Sequence, residues 1–290
     1  MLPRSFVLVL LVLLAGACGG GTQPQADSTY VPPLANAPKR IVSLSPTATE
    51  MLYAIGAGDQ VVAVDDQSNY PADAPRTKLS GYQPNVEAIA GYHPDLVVAS
   101  GDPGGLVDGL GKLNVDVLIQ QAPKNLDGAY AEIGELGMKT GHYDEAVKVV
   151  GRMRAQIAQL VSQGSPGAGL EVYHELGPDY YSAQSDTFIG SIYAELGAEN
   201  IADGAGKNAP DYPQLSAEYI VKADPDLIVL SDTKCCAQTL EKVAKRPGWQ
   251  KIDAVKDGDV IEVDDDIASR WGPRIVDFVR TVSEAMAAAK

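Results

Sequence analysis

The chain has 290 residues, 45% of them hydrophobic, with 23 basic against 38 acidic side chains and a net charge of −15. That length and apolar content exclude a disordered chain and allow one large domain, or two of ordinary size, with a proper core. The acidic balance, without any Lys/Arg-rich run, excludes nucleic acid as a partner.

In chain order, residues 1–17 read as a secretory signal: a positive start (Met1–Arg4), an apolar run from Phe6 to Leu14, then small residues. The run is too short to span a bilayer. Ala15, Gly16 and Ala17 end on Cys18, a sequence similar to the lipobox of bacterial lipoproteins. That similarity implies that Cys18 is the lipidated first mature residue; the alternative is ordinary cleavage beside a stray cysteine. Residues 18–38 are rich in Gly, Pro and Gln and read as a flexible tether.

Residues 39–142 predict an N-terminal α/β lobe. IVSL is a strand run, residues 47–55 predict a short helix with Thr47 and Thr49 as its candidate caps, and VVAV is the next strand. Residues 143–164 place apolar side chains at Ala146, Val147, Val150, Met153, Ile157, Leu160 and Val161. This is helical spacing over about 30 Å. Its place between two similar halves predicts a rigid connecting helix, and GSPGAG marks the boundary after it. Residues 165–290 predict a C-terminal α/β lobe, with strand LEVYHEL, a Thr187-started helix and then Gly197.

The two halves share a sentence. NVEAIAGYHPDLVVAS (85–100) and SAEYIVKADPDLIVLS (216–231) match at seven of 16 positions at a shift of 131 (218 − 87). In each, Asn85 or Ser216 caps two helical turns, Pro94 or Pro225 stops them, and a continuous apolar run follows as a strand covered on both faces. Helix followed by strand, twice over, predicts α/β layers with mostly parallel sheets. Glu87 and Glu218 hold the same place in the two first turns, where a carboxylate also favours the helix dipole.

Besides Cys18 the chain has only Cys235 and Cys236. In an exported protein, adjacent cysteines are candidates for a vicinal disulfide, the alternatives being two free thiols or capture by another molecule.

RIVSLSPTATE, SNYPADA, the two repeated segments, TFIGSIYAELGAENIAD and GPRIVDF, in this order, resemble the substrate-binding proteins of bacterial ABC importers for vitamin B12 and iron chelates. The resemblance spans roughly residues 39–288. It implies a fold of two α/β lobes of mostly parallel sheet bridged by one long rigid helix. It implies a non-enzymatic, lipid-anchored monomer on the extracytoplasmic face of the cell membrane. Such a protein binds a small molecule and serves an ABC permease dimer with its cytoplasmic ATPase.

The ligand implied is cobalamin or a related corrinoid, with a ferric hydroxamate siderophore or haem as alternatives. It is transported cargo, so no cofactor and no metal of the protein's own is expected. Matching loops imply Asn69, Tyr70, Tyr82, Tyr180, Tyr181, Tyr212, Arg270 and Trp271 as ligand-binding residues, because flat ligands need aromatic platforms. Gln67 and Ser100 stand where a vitamin B12 binder has Tyr and Trp. The loops GDPGG (101–105) and DTKCC (232–236) follow the repeated strands and are expected at the ligand-facing edge. The resemblance further implies that Glu87 and Glu218 dock the lobes onto arginines of two permease subunits.

Other chemistries fit less well. Ferric catecholates call for several cleft cations, whereas Arg270 and Lys234 are all these loops offer. Haem needs an axial ligand, and of the three histidines only His174, in a strand, is a candidate. The acidic run Asp264–Asp266 reads as a solvated strand end. No Gly-x-Ser-x-Gly, His-Glu-x-x-His or P-loop pattern supports an enzyme. A sensor or scavenger lipoprotein without a transporter is the remaining alternative.

Overall fold

Every strand ladder is parallel. β1 (Ile41–Leu44), β2 (Val61–Asp65), β3 (Arg76–Leu79), β4 (Leu96–Ala99) and β5 (Asp116–Ile119) form one sheet in the order β3-β2-β1-β4-β5. β6 (Glu171–Glu175), β7 (Glu199–Asn200), β8 (Leu227–Leu230) and β9 (Val260–Glu262) form a second in the order β7-β6-β8-β9. The structure, a computed structural model, describes residues 37–162, 165–206 and 208–289. The predicted signal sequence, Cys18 and most of the predicted tether lie outside the described residues. Among the described residues no helix is long and apolar enough to cross a membrane.

Around the first sheet lie helices α1 (Pro46–Ala54), α2 (Val86–Ala90), α3 (Leu106–Gly111) and α4 (Leu126–Thr140). Next comes α5 (Tyr143–Ser162), 20 residues, or about 30 Å. Around the second sheet lie α6 (Phe188–Glu195), α7 (Ala217–Ala223), α8 (Thr233–Cys236), α9 (Leu240–Ala244), α10 (Asp253–Asp257), α11 (Asp265–Ser269) and α12 (Ile275–Ala288).

The duplication is written into the strand register. Ile41 pairs with Leu96 and Val172 pairs with Leu227, both partners moved by the same 131 positions (172 − 41 and 227 − 96). β4 and β8 are buried along their whole length, as their unbroken apolar sequence requires.

Alternate strand residues face different cores. Ile41, Val98, Val172 and Val229 enter one large cluster shared by both halves, together with Val149, Met153 and Ile157 of α5 and Phe278 and Val282 of α12. Val42 and Val97 face a second cluster private to the first half, and Tyr173 and Ile228 face a third private to the second half. The halves are therefore joined by close-packed core through α5, which resists large relative motion.

One expectation about α1 is corrected. Its cap is Ser45, whose Oγ accepts the Ala48 N–H at 3.3 Å, with Pro46 opening the helix. Proline fits there because it lacks the N–H that a first-turn residue leaves unpaired. Thr49 instead donates to Ser43 Oγ at 2.9 Å within the buried interior.

Candidate functional site

The repeated sentence builds the same local device twice. Asn85 Oδ1 accepts the Ala88 N–H at 2.9 Å, and Ser216 Oγ accepts the Tyr219 N–H at 3.1 Å. Past the helices the corresponding His93 and Asp224 adopt left-handed φ of 49° and 53°, Asp224 as the α7 C-cap. Asp95 Oδ2 accepts the Arg40 N–H at 3.0 Å, and Asp226 Oδ2 accepts the Glu171 N–H at 2.7 Å, each tying the incoming strand to its neighbour. Much of the repetition thus serves the backbone. The glutamate side chains do not: Glu87 and Glu218 are exposed, one per half, and neither carboxylate has a hydrogen-bond or ion-pair partner among the described residues.

Two bridges connect the halves at the carboxyl edges of their sheets. Arg270, following β9, donates to Glu50 Oε1 at 3.0 Å and to Asn69 Oδ1 at 2.8 Å, and Asn69 follows β2. Asn69 Nδ2 donates in turn to Asp266 at 2.8 Å. On the other side Lys124, following β5, meets Asp211 at 2.8 Å in the segment after β7. By the duplication β7 corresponds to β2 and β9 to β5, so the bridges join corresponding segments in exchanged roles. That is the pattern of a two-fold relation between the halves.

Two further cavities lie beside the helices. One of about 380 Å³ lies where α4, α5 and α6 meet, and one of about 410 Å³ lies between α1 and α12. In the first Arg154 sits 4.3 Å over the Tyr130 ring, and in the second Arg274 sits 4.3 Å over the Tyr70 ring. Between the two bridges lie the loops after β1, β4, β6 and β8. These strands bracket the crossover points of the two sheets, where open α/β folds bind ligands.

The predicted ligand residues divide into two groups. Tyr82 is 82% exposed, Tyr181 45% and Tyr212 43%, so each presents a free aromatic face. Tyr70 is also exposed, but its ring lies under Arg274 in a lateral cavity. Tyr180 is stacked on the buried Trp249 and belongs to the second half's private core, not to an open wall. Asn69 is engaged in the bridge. Arg270 is buried and commits four N–H groups to Glu50, Asn69, Gln67 O and Asp266. Trp271 donates its Nε1–H to Glu132 Oε2 at 2.6 Å, from the second half to α4 of the first. Burial raises the Glu132 carboxyl to about 7, the indole donor opposing it.

Asp264–Asp266 is not a solvated end. Lys234 reaches Asp264 and Asp266 at 2.6 and 2.7 Å, and Asp265 accepts the N–H groups of Thr233, Lys234 and Cys235. Burial would raise Asp266, but Lys234, Asn69 and Arg270 outweigh it and hold the carboxyl below the usual range.

The family model described as "Periplasmic binding protein" matches residues 41–267. This chain belongs to the periplasmic binding protein family. It is 31% identical over 259 residues to an uncharacterized ABC transporter substrate-binding lipoprotein, YvrC, of Bacillus subtilis, covering 86% of this chain and 80% of that protein. It is 32% identical over 273 residues to a cobalamin-binding protein of Halobacterium salinarum, covering 91% and 73%. The crystal structure of the periplasmic vitamin B12 binding protein BtuF of Vibrio cholerae superposes with a TM-score of 0.73 at 26% identity, covering 87% of this chain and 98% of that one.

In this periplasmic binding protein the carboxyl edge of the second sheet holds further groups that spacing did not single out. Glu175, at the end of β6, is fully buried and takes a two-pronged ion pair from Arg246 at 2.6 Å on each oxygen. Asp232, separated from β8 by Ser231 alone, is fully buried, and neither carboxylate oxygen has a hydrogen-bond partner among the described residues. Burial, with Glu175 nearby, raises its carboxyl to about 7. α8 follows at once, with Cys235 and Cys236 bonded to each other. No periodicity marks Glu175 or Asp232; their only signal is position at the ends of two strands that pair.

His174 is a core residue. Ser231 Oγ donates to Glu175 O at 2.8 Å, so at 2.9 Å it must accept from His174 Nε2, leaving Nδ1 to accept from the Tyr193 hydroxyl at 2.5 Å. Complete burial pushes the imidazole down to about 3, and it stays neutral.

Proposed function

We propose that this chain is the extracytoplasmic, lipid-anchored substrate-binding protein of an ABC importer. It captures cobalamin, a related corrinoid or an iron chelate between its lobes and delivers it to a permease dimer driven by a cytoplasmic ATPase. The observation that carries this reading is the matched pair Glu87 and Glu218. Both are exposed, with unpartnered carboxylates, in the first turn of helices capped by a side-chain oxygen at the same position and next to strands of the same register. A two-lobed protein on a two-fold permease needs two equivalent contacts. Exposed ion pairs are individually weak, so they act by alignment and by steering the encounter.

Tyr82, Tyr181 and Tyr212 supply flat, low-entropy surfaces for a macrocycle, while the cations nearest the edge are already paired with Glu50, Asp211, Asp264 and Asp266. This favours a neutral or weakly charged ligand over a polyanionic catecholate. The kinship to cobalamin-binding proteins points the same way. Catalysis has no part in this reading; binding and hand-over are the whole mechanism, and the core shared through α5 keeps the hinge motion small.

Calorimetric titration of the mature protein with cobalamin, haem and a panel of ferric siderophores tests it. Tight binding of cobalamin or of a neutral chelate is expected. Binding of a ferric catecholate alone would overturn the ligand assignment.

A further inference from the structure

We propose that Glu132 is a positioning residue of the ligand site: its ionised carboxylate holds the Trp271 indole at the boundary between the halves, and loss of that charge releases the ring. This rests on the reading of the chain as a substrate-binding protein with Trp271 among its ligand contacts, but the deciding measurement needs no ligand.

The contact takes one partner from each half. α4 follows β5, so its early turns stand beside the carboxyl edge of the first sheet, and Glu132 lies in its second turn. Trp271 comes from the loop before α12, and its Nε1–H meets Glu132 Oε2 at 2.6 Å. The ring is half-buried. It meets Phe188 edge-on at 6.4 Å and packs against the core shared by both halves. Packing restrains the apolar part of the ring, but the indole donor has Glu132 as its partner, and that partner is an acid. A hydrogen bond to a carboxylate is roughly twice as strong as one to a neutral acceptor. The hold on the donor therefore depends on the charge of Glu132.

No cation supports that charge. On α4 itself Glu135 lies one turn on, and its charge opposes a second one. Gln120, after β5, is neutral; its Nε2 donates to Glu132 O at 3.0 Å and to Glu135 Oε2 at 3.4 Å. Arg270, beside Trp271, is engaged with Glu50, Asn69, Gln67 O and Asp266. Of the helices packed on α4, α1 has its Glu50 between Arg270 and Arg274, and α5 has its Arg154 on Asp127. Glu195 of α6 lines the cavity beside Arg154. Among the described residues no ion pair reaches Glu132, so burial prevails and raises its carboxyl to about 7, with the indole opposing. The group that holds Trp271 thus changes charge near neutrality. Above that pH the ring is held and preorganised; below it the donor is only weakly held.

The test follows the Trp271 indole N–H signal by NMR in the mature, ligand-free protein, assigned against the other of the two tryptophans by Trp271→Phe. The signal should titrate with a midpoint near pH 7. Glu132→Gln keeps an acceptor without the charge, so its Trp271 signal should sit at the parent's acid position at every pH. Trp271→Phe keeps a ring and removes the donor, so it should move the Glu132 carboxyl titration to higher pH, a test that stands even where Glu132→Gln fails to fold. With cobalamin as the probe, the parent should bind several-fold more tightly at pH 8 than at pH 6, and Glu132→Gln should lose that difference. A Trp271 signal that does not titrate, or titrates alike in parent and Glu132→Gln, would overturn the proposal. So would a Glu132 titration unmoved by Trp271→Phe, or the same pH dependence of cobalamin affinity in both proteins. Absence of cobalamin binding at either pH would instead overturn the ligand assignment, and the ligand-free titrations would then decide whether Glu132 holds the ring.

Discussion

Glu50 and Arg270 lie 220 positions apart in the chain, yet Arg270 Nη1 donates to Glu50 Oε1 at 3.0 Å with both side chains almost wholly buried. Arg274 binds the same carboxylate through Nε at 2.9 Å and through Nη2. One acid therefore holds two guanidinium groups where the first helix of one lobe meets the last loop of the other.

Removing that acid strips the half-buried Arg274 of its carboxylate and leaves the buried Arg270 with Asp266 as its remaining carboxylate. Breaking a buried pair typically costs roughly 3–5 kcal/mol. In a chain of this size each kcal/mol shifts the melting temperature by about 2–4 °C. Glu50→Ala should therefore melt about 10 °C lower in a calorimetric scan, and Glu50→Gln, which keeps the hydrogen-bond acceptor, should lose less.

Glu87 and Glu218, proposed to dock the permease, should behave in the opposite way. Glu87→Ala combined with Glu218→Ala should abolish uptake in cells while leaving ligand affinity and melting temperature nearly unchanged, since both side chains are exposed and unpartnered. Each single change should cost less than the pair. Normal uptake by the double variant, or a collapse of its affinity, would assign the glutamates another role.

Tyr82 is the most exposed large hydrophobic side chain among the described residues, and it packs against none of the three cores. Tyr82→Ala should weaken binding of the transported ligand by about tenfold, or about 1.4 kcal/mol, with no change in melting temperature. Tyr180→Ala should instead lower stability through Trp249. An unchanged dissociation constant for the Tyr82 variant would remove it from the binding surface.

Asp232 makes stability depend on pH. Its folded carboxyl is raised to about 7, above the ordinary 3.8 of an unfolded chain. At low pH both states are protonated and nothing is lost. As pH rises from about 4 the unfolded state ionises first, so folding is progressively penalised, and the penalty is complete above 7. Asp232→Asn should accordingly raise the melting temperature at pH 8, and that gain should fade to nothing near pH 4. Glu132, raised into the same range, keeps part of the slope in the variant. A gain independent of pH would show that folding does not raise the Asp232 carboxyl.

The proposed membrane attachment rests on Cys18 alone. Cys18→Ala should release the protein from membranes in a fractionation experiment, whereas retention would mean that residues 1–17 stay on as an uncleaved anchor.

Local signals were enough for the architecture. The caps Asn85, Ser216 and Thr187, the stops after them, the unbroken strands LVVA and LIVL and the long apolar stripe of α5 depend on neighbours within a few residues, and each is read from spacing and backbone chemistry. The shift of 131 even carried the strand register, because equal sequence in equal surroundings pairs equally. Ser45 displaced Thr47 as the cap because Pro46 can only open a helix, a rule equally visible in the sequence.

What tertiary structure alone decided is which polar groups remain free. In sequence Arg270, Trp271 and Asn69 look like ligand contacts and Asp264–Asp266 looks like a wet strand end. Folded, they are consumed by one another across the lobes, and Glu50, Glu132, Glu175 and Asp232 emerge in places that no spacing rule marks. A charge is satisfied or orphaned by whatever approaches it in space, and those partners come from as far as 224 residues away. Hydrophobic periodicity reports which face of an element is buried, but it carries no information about which charge meets which once two such faces close together.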